Sequence, residues 1–126
     1  MNGTEYQKLA MRTNDNLNVS RLTDKINTYY YDGLGVADPG DLLNGALGLT
    51  GEAGEVVDII KKHIFHGHAL YIDELVKELG DVLWYVALIS EAIGKSLDTI
   101  MEVNIEKLKN RYPEGFSESA SINRTE

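Results

Sequence analysis

The sequence contains no cysteine among its 126 residues. It can form neither a disulfide framework nor a thiolate metal site, as expected of a chain in a reducing compartment. Basic residues are also scarce, with twelve Lys and Arg against twenty Asp and Glu and a net charge of -8. Without a basic stripe to neutralise phosphates, the chain is not expected to bind a nucleic-acid backbone.

Long apolar runs and histidine are scarce as well. No run approaches the roughly 20 residues that a membrane-spanning helix needs, and no signal peptide is recognisable, so we expect a cytoplasmic protein with no membrane partner. A zinc site needs three or four ligands, but the loop His66-Gly67-His68 has only His63 as a further histidine nearby. A transition-metal site is therefore not expected there.

The composition is that of a globular protein, with 43% hydrophobic and 25% charged residues. The length predicts one domain, 1–126, with its core at about 39–113 and a loose polar tail at 117–126. Asp38 and Pro39 form a strong helix start. The patterning predicts an all-α fold of the four-helix-bundle type, with the segment 14–21 as a loop, Gly33 as a helix stop and helices at 5–13, 22–31, 39–65, 72–93 and 97–111.

Two short acidic phrases stand in the most strongly periodic segments, Glu52-Ala53-Gly54-Glu55-Val56 and Glu78-Leu79-Gly80-Asp81-Val82. Each places two acids three residues apart, on one side of a helix. Four carboxylates can therefore meet between two helices. Ordinary solvated surface acids are the alternative interpretation, because exposed helices are rich in Glu.

Apolar residues at steps of three and four predict the packed seams of these two helices. Each acid stands one residue ahead of a seam position, so we expect the acids to border the core. Acids gathered there would raise one another's pKa unless a cation joined them. The seams are Ala46, Leu49, Ala53, Val56 and Ile60 in the first helix, and Leu75, Leu79, Val82, Val86, Ile89 and Ile93 in the second.

Glycine recurs every third residue in the first of these helices, at Gly45, Gly48, Gly51 and Gly54. A glycine inside a helix costs roughly 1 kcal/mol relative to alanine, so the repeat requires a compensating contact. Either a closely packed neighbouring helix or a ligand lying against the backbone would supply one.

These residues resemble the MazG-like all-alpha nucleoside triphosphate pyrophosphohydrolases, whose motif is ExxE followed by ExxD on the next helix. The resemblance runs through LGLTGEAGEV (47–56), ELGDVLWY (78–85) and residues 104–113, covering most of 41–113. The family's fuller motif is EExxE, and Gly51 stands at the position of its first Glu. The resemblance implies an all-α pyrophosphohydrolase fold and a nucleoside monophosphate and pyrophosphate as products.

Oxygen-only ligands favour hard cations, so Glu52, Glu55, Glu78 and Asp81 are predicted to hold Mg²⁺, with Mn²⁺ as an alternative. A di-iron bundle would need Glu-x-x-His repeats, which these phrases lack. We expect water to attack the α phosphorus of a nucleoside triphosphate, ribonucleotide or deoxynucleotide, with Glu52 or Glu55 taking its proton.

Six residues are candidates for contacts with the substrate. The resemblance implies phosphate contacts for Lys107 and Arg111 and a polar contact for Asn104. Lys61, in the last turn of its helix, could also reach a phosphate, together with its neighbour Lys62. Trp84 could stack a base, although packing is the alternative.

Two other functions remain open at this point. The chain could be a hydrolase for one specific nucleotide, similar to a dUTPase, a dCTPase or a house-cleaning enzyme, or a non-catalytic helical assembly module that binds a structural ion. A second apolar row would stay uncovered in a single copy of so short a chain, so a homodimer or homotetramer is predicted. That row consists of Leu43, Leu47, Val57 and Ile64.

Overall fold

The computed structural model describes residues 1–31 and 38–124, and every regular element in those ranges is helical. The all-α prediction is therefore confirmed. A 3-10 turn at Met11–Thr13 follows α1, and a π-helical turn at Asn27–Tyr31 follows α2. The helices are α1 (Gly3–Ala10), α2 (Asn18–Ile26), α3 (Pro39–Phe65), α4 (Ile72–Ala92), α5 (Leu97–Arg111) and α6 (Glu118–Ile122).

Local signals account for the ends of the long helices. The Asp38 carboxylate accepts hydrogen bonds from the amides of Gly40 (2.9 Å) and Asp41 (3.1 Å), with Pro39 at the first helical position. Past the end of α3, Gly67 has a φ of +74°, a conformation that glycine adopts without strain. Ser96 caps α5 by accepting a bond from the amide of Thr99 (3.1 Å).

Helices α3 and α4 form the main tertiary contact and run antiparallel. Gly45 lies against Ile89 and, one turn further along α3, Gly48 lies against Tyr85. A Cβ built on Gly45 would stand 2.5 Å from Ile89 Cγ1, and one on Gly48 would stand 2.1 Å from Tyr85 Cε1. These two glycines therefore allow the helices to approach closely. For two of the four glycines in the repeat, the compensating contact is thus the neighbouring helix.

The predicted seam of α3 differs in part from the contact that forms. Ala46, Ala53 and Ile60 are exposed, because α3 turns Gly45, Gly48 and Glu52 toward α4, whereas Leu49 and Val56 are half-buried as expected. In α4 the predicted seam is half-buried except at Leu79. The apolar spacing was compatible with either rotation, and the close approach at the glycines selects this one. Glu52 and Glu78 are half-buried beside this contact, whereas Glu55 and Asp81 are exposed.

The N-terminal predictions need correction. The helix expected from residue 22 begins at Asn18, because the Asn14 and Asp15 side chains accept bonds from the amides of Asn16 and Leu17 and confine the loop to a few residues. On α1, Tyr6 and Leu9 are exposed, whereas Ala10 is half-buried. Gly33, the predicted helix stop, lies outside the described residues.

The C-terminal tail is not the uniform loose segment that was expected. Residues 118–122 form α6, whose first turn is capped by Ser117 accepting a bond from the amide of Ala120 (3.1 Å). Before it, the rings of Tyr112 and Phe116 are in contact, with centroids 5.5 Å apart.

Much apolar surface stays open to solvent in the single chain. The second apolar row of α3 is exposed along its length, from Leu43 and Leu47 (67% exposed) to Val57 (63%) and Ile64 (61%). Most of α5 is exposed as well. Within the described residues, no helix combines the length and the apolarity needed to cross a membrane.

Candidate functional site

Three of the four predicted carboxylates converge between α3 and α4. Glu52 comes from α3, and Glu78 and Asp81 come from α4. One ligand oxygen from each lies within 4.8 Å of the others. Glu52 and Glu78 are half-buried, whereas Asp81 is exposed. The two acidic phrases thus meet in space, as their twin spacing indicated.

The helix contact explains why these acids meet. Glu52 follows Gly48 by four residues, one turn of α3, and Asp81 precedes Tyr85 by four residues, one turn of α4. Because Gly48 packs directly on Tyr85 and the helices are antiparallel, the next turn on each brings Glu52 opposite Asp81. Glu78, three residues before Asp81, completes the group from the same side of α4.

The charges within this group oppose one another. Partial burial is the largest cause that raises the pKa of Glu78 above its ordinary value of 4.5, followed by the neighbouring charges of Glu52, Asp81 and Glu55. A carboxylate under such repulsion gains stability when a cation is bound. The electrostatics of the site therefore favour a positively charged ligand.

The donor set fits a hard divalent cation. All three groups offer oxygen, and the group contains no histidine. Mg²⁺ and Mn²⁺ prefer such ligands, whereas zinc and copper favour nitrogen and sulfur. The loop histidines lie elsewhere, where His63 Nδ1 is 2.9 Å from the carbonyl oxygen of His68.

Glu55 is near this group without being part of it. Its side chain is exposed, and its charge raises the pKa values of both Glu78 and Lys62. Glu55 therefore lies between the three converging carboxylates and the C-terminal turns of α3. The prediction that it binds metal together with the other three remains a prediction.

A cleft of about 370 Å³ adjoins the acids, lined by Glu52, Asp81, Trp84 and Tyr85. The Trp84 and Tyr85 rings meet edge to face with centroids 5.0 Å apart, and Trp84 is 58% exposed. Tyr85 packs on Gly48, but much of Trp84 is free of packing in the single chain. The cleft therefore combines carboxylates with an accessible aromatic ring.

The other predicted substrate contacts do not line this cleft in the single chain, whose lining in the described ranges comes from α3 and α4. Asn104 and Lys107 are exposed on α5, and Arg111 is half-buried. Lys61 is exposed and stands nine residues, two and a half turns, after Glu52, which directs it away from α4.

The sequence analysis did not identify the ion pair between Lys62 and Asp58. The Lys62 Nζ lies 2.5 Å from the Asp58 Oδ2, and Lys62 also lines a second cleft near the α3–α4 loop. A signal was present in the sequence, because Asp58 and Lys62 stand four residues apart, the spacing at which opposite charges pair on one side of a helix.

Comparisons with known proteins agree with this geometry. A family model described as the MazG nucleotide pyrophosphohydrolase domain matches residues 42–116, the span that contains both acidic phrases. "Gene 37 protein" of Mycobacterium phage L5 is 34% identical over 102 residues, which cover 77% of this chain and 90% of the phage protein. No solved structure gives a significant match.

Proposed function

Because the chain belongs to the MazG nucleotide pyrophosphohydrolase family, we propose that it hydrolyses a nucleoside triphosphate between the α and β phosphates with the help of Mg²⁺. The products are a nucleoside monophosphate and pyrophosphate. The observation that supports this most strongly is the convergence of Glu52, Glu78 and Asp81 within 4.8 Å beside an aromatic cleft.

The three converging carboxylates are the proposed ligands of the cation. Mg²⁺, or Mn²⁺ in its place, would supply charge neutralisation for the phosphates and a lower pKa for the attacking water. The carboxylates are negatively charged, so they attract the cation but would repel a triphosphate that carries no metal ion. Phosphate binding at this site therefore depends on the cation.

Glu55 is the proposed general base, because it stands beside the cation ligands but outside their group. A water that attacks the α phosphorus must lose a proton, and an exposed carboxylate next to the reaction centre can accept it. The bond between the α phosphorus and the bridging oxygen then breaks, and pyrophosphate leaves with the bonding electrons. Glu55 returns its proton to solvent.

Trp84 is the proposed platform for the base. Its exposed ring borders the cleft next to Asp81, and a nucleobase that stacks on an aromatic ring gains roughly 1–3 kcal/mol in single-stranded nucleic-acid complexes. Stacking is tolerant of base identity, so this contact supports a nucleotide substrate without selecting one base. A hydrolase restricted to one nucleotide would need further contacts.

Oligomerisation is part of the proposal, as a homodimer or homotetramer. The single chain exposes 10194 Å², about half as much again as the roughly 6,700 Å² expected for a compact monomer of this mass. The excess includes the apolar row of α3, from Leu43 to Ile64, and most of α5. Light scattering on the purified protein tests this, and a monodisperse monomer at micromolar concentration contradicts it.

Oligomerisation also bears on the predicted phosphate contacts of Asn104, Lys107 and Arg111. Since the single chain does not bring Asn104 or Lys107 to the cleft, their contribution requires α5 to be repositioned or supplied by another copy. Lys107→Gln is then expected to raise KM for the triphosphate while the helix content of the protein, measured by circular dichroism, stays unchanged.

The test of the proposed function is product identification. The protein is incubated with a panel of ribonucleoside and deoxyribonucleoside triphosphates and Mg²⁺, and the products are resolved by ion-exchange chromatography. Monophosphate and pyrophosphate in equal amounts are expected. Release of orthophosphate would refute cleavage at the α phosphorus, and calorimetry that shows cation binding without nucleotide binding would favour the assembly module.

A further inference from the structure

A second cleft lies between the C-terminal turns of α3, the α3–α4 loop and the first turn of α4. It has a volume of about 170 Å³ and is lined by Ile59, Lys62, His68, Ala69, Tyr71 and Glu74. Unlike the acidic cleft, it contains a permanent cation, Lys62. The two clefts therefore differ in what they can bind without help from a metal ion.

Helix spacing places the two clefts on one side of the helix pair. Lys62 follows Glu55 by two turns of α3, and Glu74 precedes Glu78 by about one turn of α4. Lys62 and Glu74 thus continue the rows that carry Glu55 and Glu78. We refer to this side of the helix pair, from Trp84 past the carboxylates to Lys62, as the groove.

The Lys62 side chain points back along this groove. Side chains on a helix lean toward its N-terminus, and the pairing of Lys62 with Asp58, one turn earlier, shows that direction here. The charge of Glu55 acts on Lys62 as well. About 15 Å of helix axis separates Glu52 from Lys62, and the backward-leaning lysine shortens the gap that a polyphosphate must span.

The pair also keeps Lys62 charged and available. Its hydrogen bond to Asp58, then the Asp58 and Glu55 charges, raise the pKa of Lys62 above the ordinary value of 10.5. An ammonium group has three donors, so one bond to Asp58 leaves others for a second acceptor. The loop brings His68 to the same cleft through the bond between its amide and the Lys62 carbonyl oxygen (3.2 Å).

We propose that Lys62 binds the terminal phosphates of the nucleotide and so fixes its direction in the groove. The base lies beside Trp84, the α phosphate lies at the carboxylates, and the pyrophosphate end points to the α3–α4 loop. Asp58 acts as a positioning residue that holds the lysine. This inference rests on the proposed function and assigns the direction of the substrate at the same site.

The test is calorimetric binding of magnesium pyrophosphate and of a nucleoside monophosphate to the full chain. Lys62→Gln is expected to weaken pyrophosphate binding about tenfold or more, the loss of one charge-assisted hydrogen bond, and to leave monophosphate binding unchanged. Lys62→Arg keeps the charge and restores most of the affinity. Asp58→Asn gives a smaller loss, since the lysine remains but is no longer held.

Lys109→Gln is the matched control. Lys109 is an exposed helical lysine paired with an acid of its own helix, Glu106, at 3.4 Å, so its removal changes the net charge equally. No change in pyrophosphate binding is expected for it. The inference is overturned if Lys62→Gln behaves like this control, if it weakens both ligands equally, or if Lys61→Gln gives the larger loss.

Failure of this inference is distinguishable from failure of the proposed function. If the wild-type protein releases pyrophosphate from triphosphates and Lys62→Gln leaves KM and pyrophosphate affinity unchanged, the function stands and the direction of the substrate is wrong. If no triphosphate is hydrolysed but pyrophosphate binding depends on Lys62, the binding site stands and the reaction is wrong.

Discussion

The contact between α3 and α4 is built differently at its two ends. Near the start of α3, Gly45 and Gly48 lie directly against Ile89 and Tyr85, with no room for a further methyl group. One turn later the same two helices face each other through Glu52, Glu78 and Asp81. Close packing at the glycines brings the two helices together. This packing keeps the mutually repelling carboxylates near one another.

The comparison shows that a regular sequence repeat can serve two purposes. Gly45, Gly48, Gly51 and Gly54 are evenly spaced, yet a Cβ on Gly51 or Gly54 would meet nothing within 4 Å in the described structure. The packed glycines position the helices, and the open ones stand beside the acids. Substitutions in each region should therefore separate stability from chemistry.

The largest expected effect comes from the charged region. Asp81→Asn is expected to lower the rate of pyrophosphate release by roughly 100-fold or more, since even residues that only support a metal ligand contribute 10–100-fold. The thermal unfolding midpoint should not fall, because a repelling charge is removed. Glu91→Gln, an exposed acid further along α4, is the control and should retain activity; equal rates for both variants would contradict the assignment.

Glu55→Gln extends the same comparison to the proposed base. Because Glu55 lies outside the three-carboxylate group, its loss should lower kcat while cation binding, measured by calorimetry, stays close to that of the wild type. Asp81→Asn should reduce both quantities. If Glu55→Gln abolishes cation binding as well, Glu55 is a ligand, as the sequence first suggested.

The next effect concerns stability in the packed region. Gly48→Ala forces a methyl group into the Tyr85 ring, and overpacking of this kind typically costs about 1–3 kcal/mol. The gain in helix propensity, about 1 kcal/mol, offsets part of that cost. We expect a lower midpoint in thermal unfolding followed by circular dichroism. A midpoint at or above that of the wild type would show that Tyr85 can turn aside.

The sequence was sufficient for most of the helices and for the convergence of three of the four acids. Both depend on local signals: the cap at Asp38, glycine stops such as Gly67, and acids repeated at one spacing in two adjacent helices. The rotation of α3 was not predictable, because periodic apolar residues marked Ala46 and Ala53 as strongly as the contact that forms. Only the space available at Gly45 and Gly48 decides between them.

The sequence also did not reveal which lysine faces the groove. Lys61 and Lys62 are adjacent, both lie in the last turns of α3, and either suits the C-terminal end of a helix dipole. The two side chains leave the helix in directions that differ by 100° about its axis. Which of them faces the groove depends on the side of α3 on which α4 packs. In the folded chain Lys62, and not Lys61, lines the cleft near the α3–α4 loop.

A smaller effect tests the repulsion among the acids. Glu78 has a raised pKa in the folded chain, so its contribution to stability is fully present below its ordinary value of 4.5 and is lost as the pH rises through the folded-state pKa. Glu78→Gln should therefore stabilise the metal-free protein at pH 7, with a difference from the wild type that vanishes toward pH 4. Thermal unfolding across this range in the presence of a chelator measures it.

Addition of Mg²⁺ should make the wild type more stable than Glu78→Gln, the reverse of the order expected without metal. Ligand binding to the folded state raises stability by RT ln(1 + L/Kd), where L is the free ligand concentration, and the wild-type site has one more charged group with which to bind the cation. The wild-type midpoint should rise with Mg²⁺ more than that of Glu78→Gln. Identical shifts in the two proteins would mean that the cation binds elsewhere.

The smallest expected effect returns to the open glycines. Gly51→Ala adds a methyl group where no atom lies within 4 Å, so the variant should gain up to about 1 kcal/mol from helix propensity alone. A slightly higher unfolding midpoint is expected in the metal-free protein, opposite in sign to the change for Gly48→Ala. A lower midpoint would mean that another copy of the chain packs against this backbone. If the unfolding midpoint rises as expected but pyrophosphate binds more weakly, the substrate lies against the backbone at Gly51. This residue precedes Glu52 and lies one turn before Glu55, on the groove side of α3.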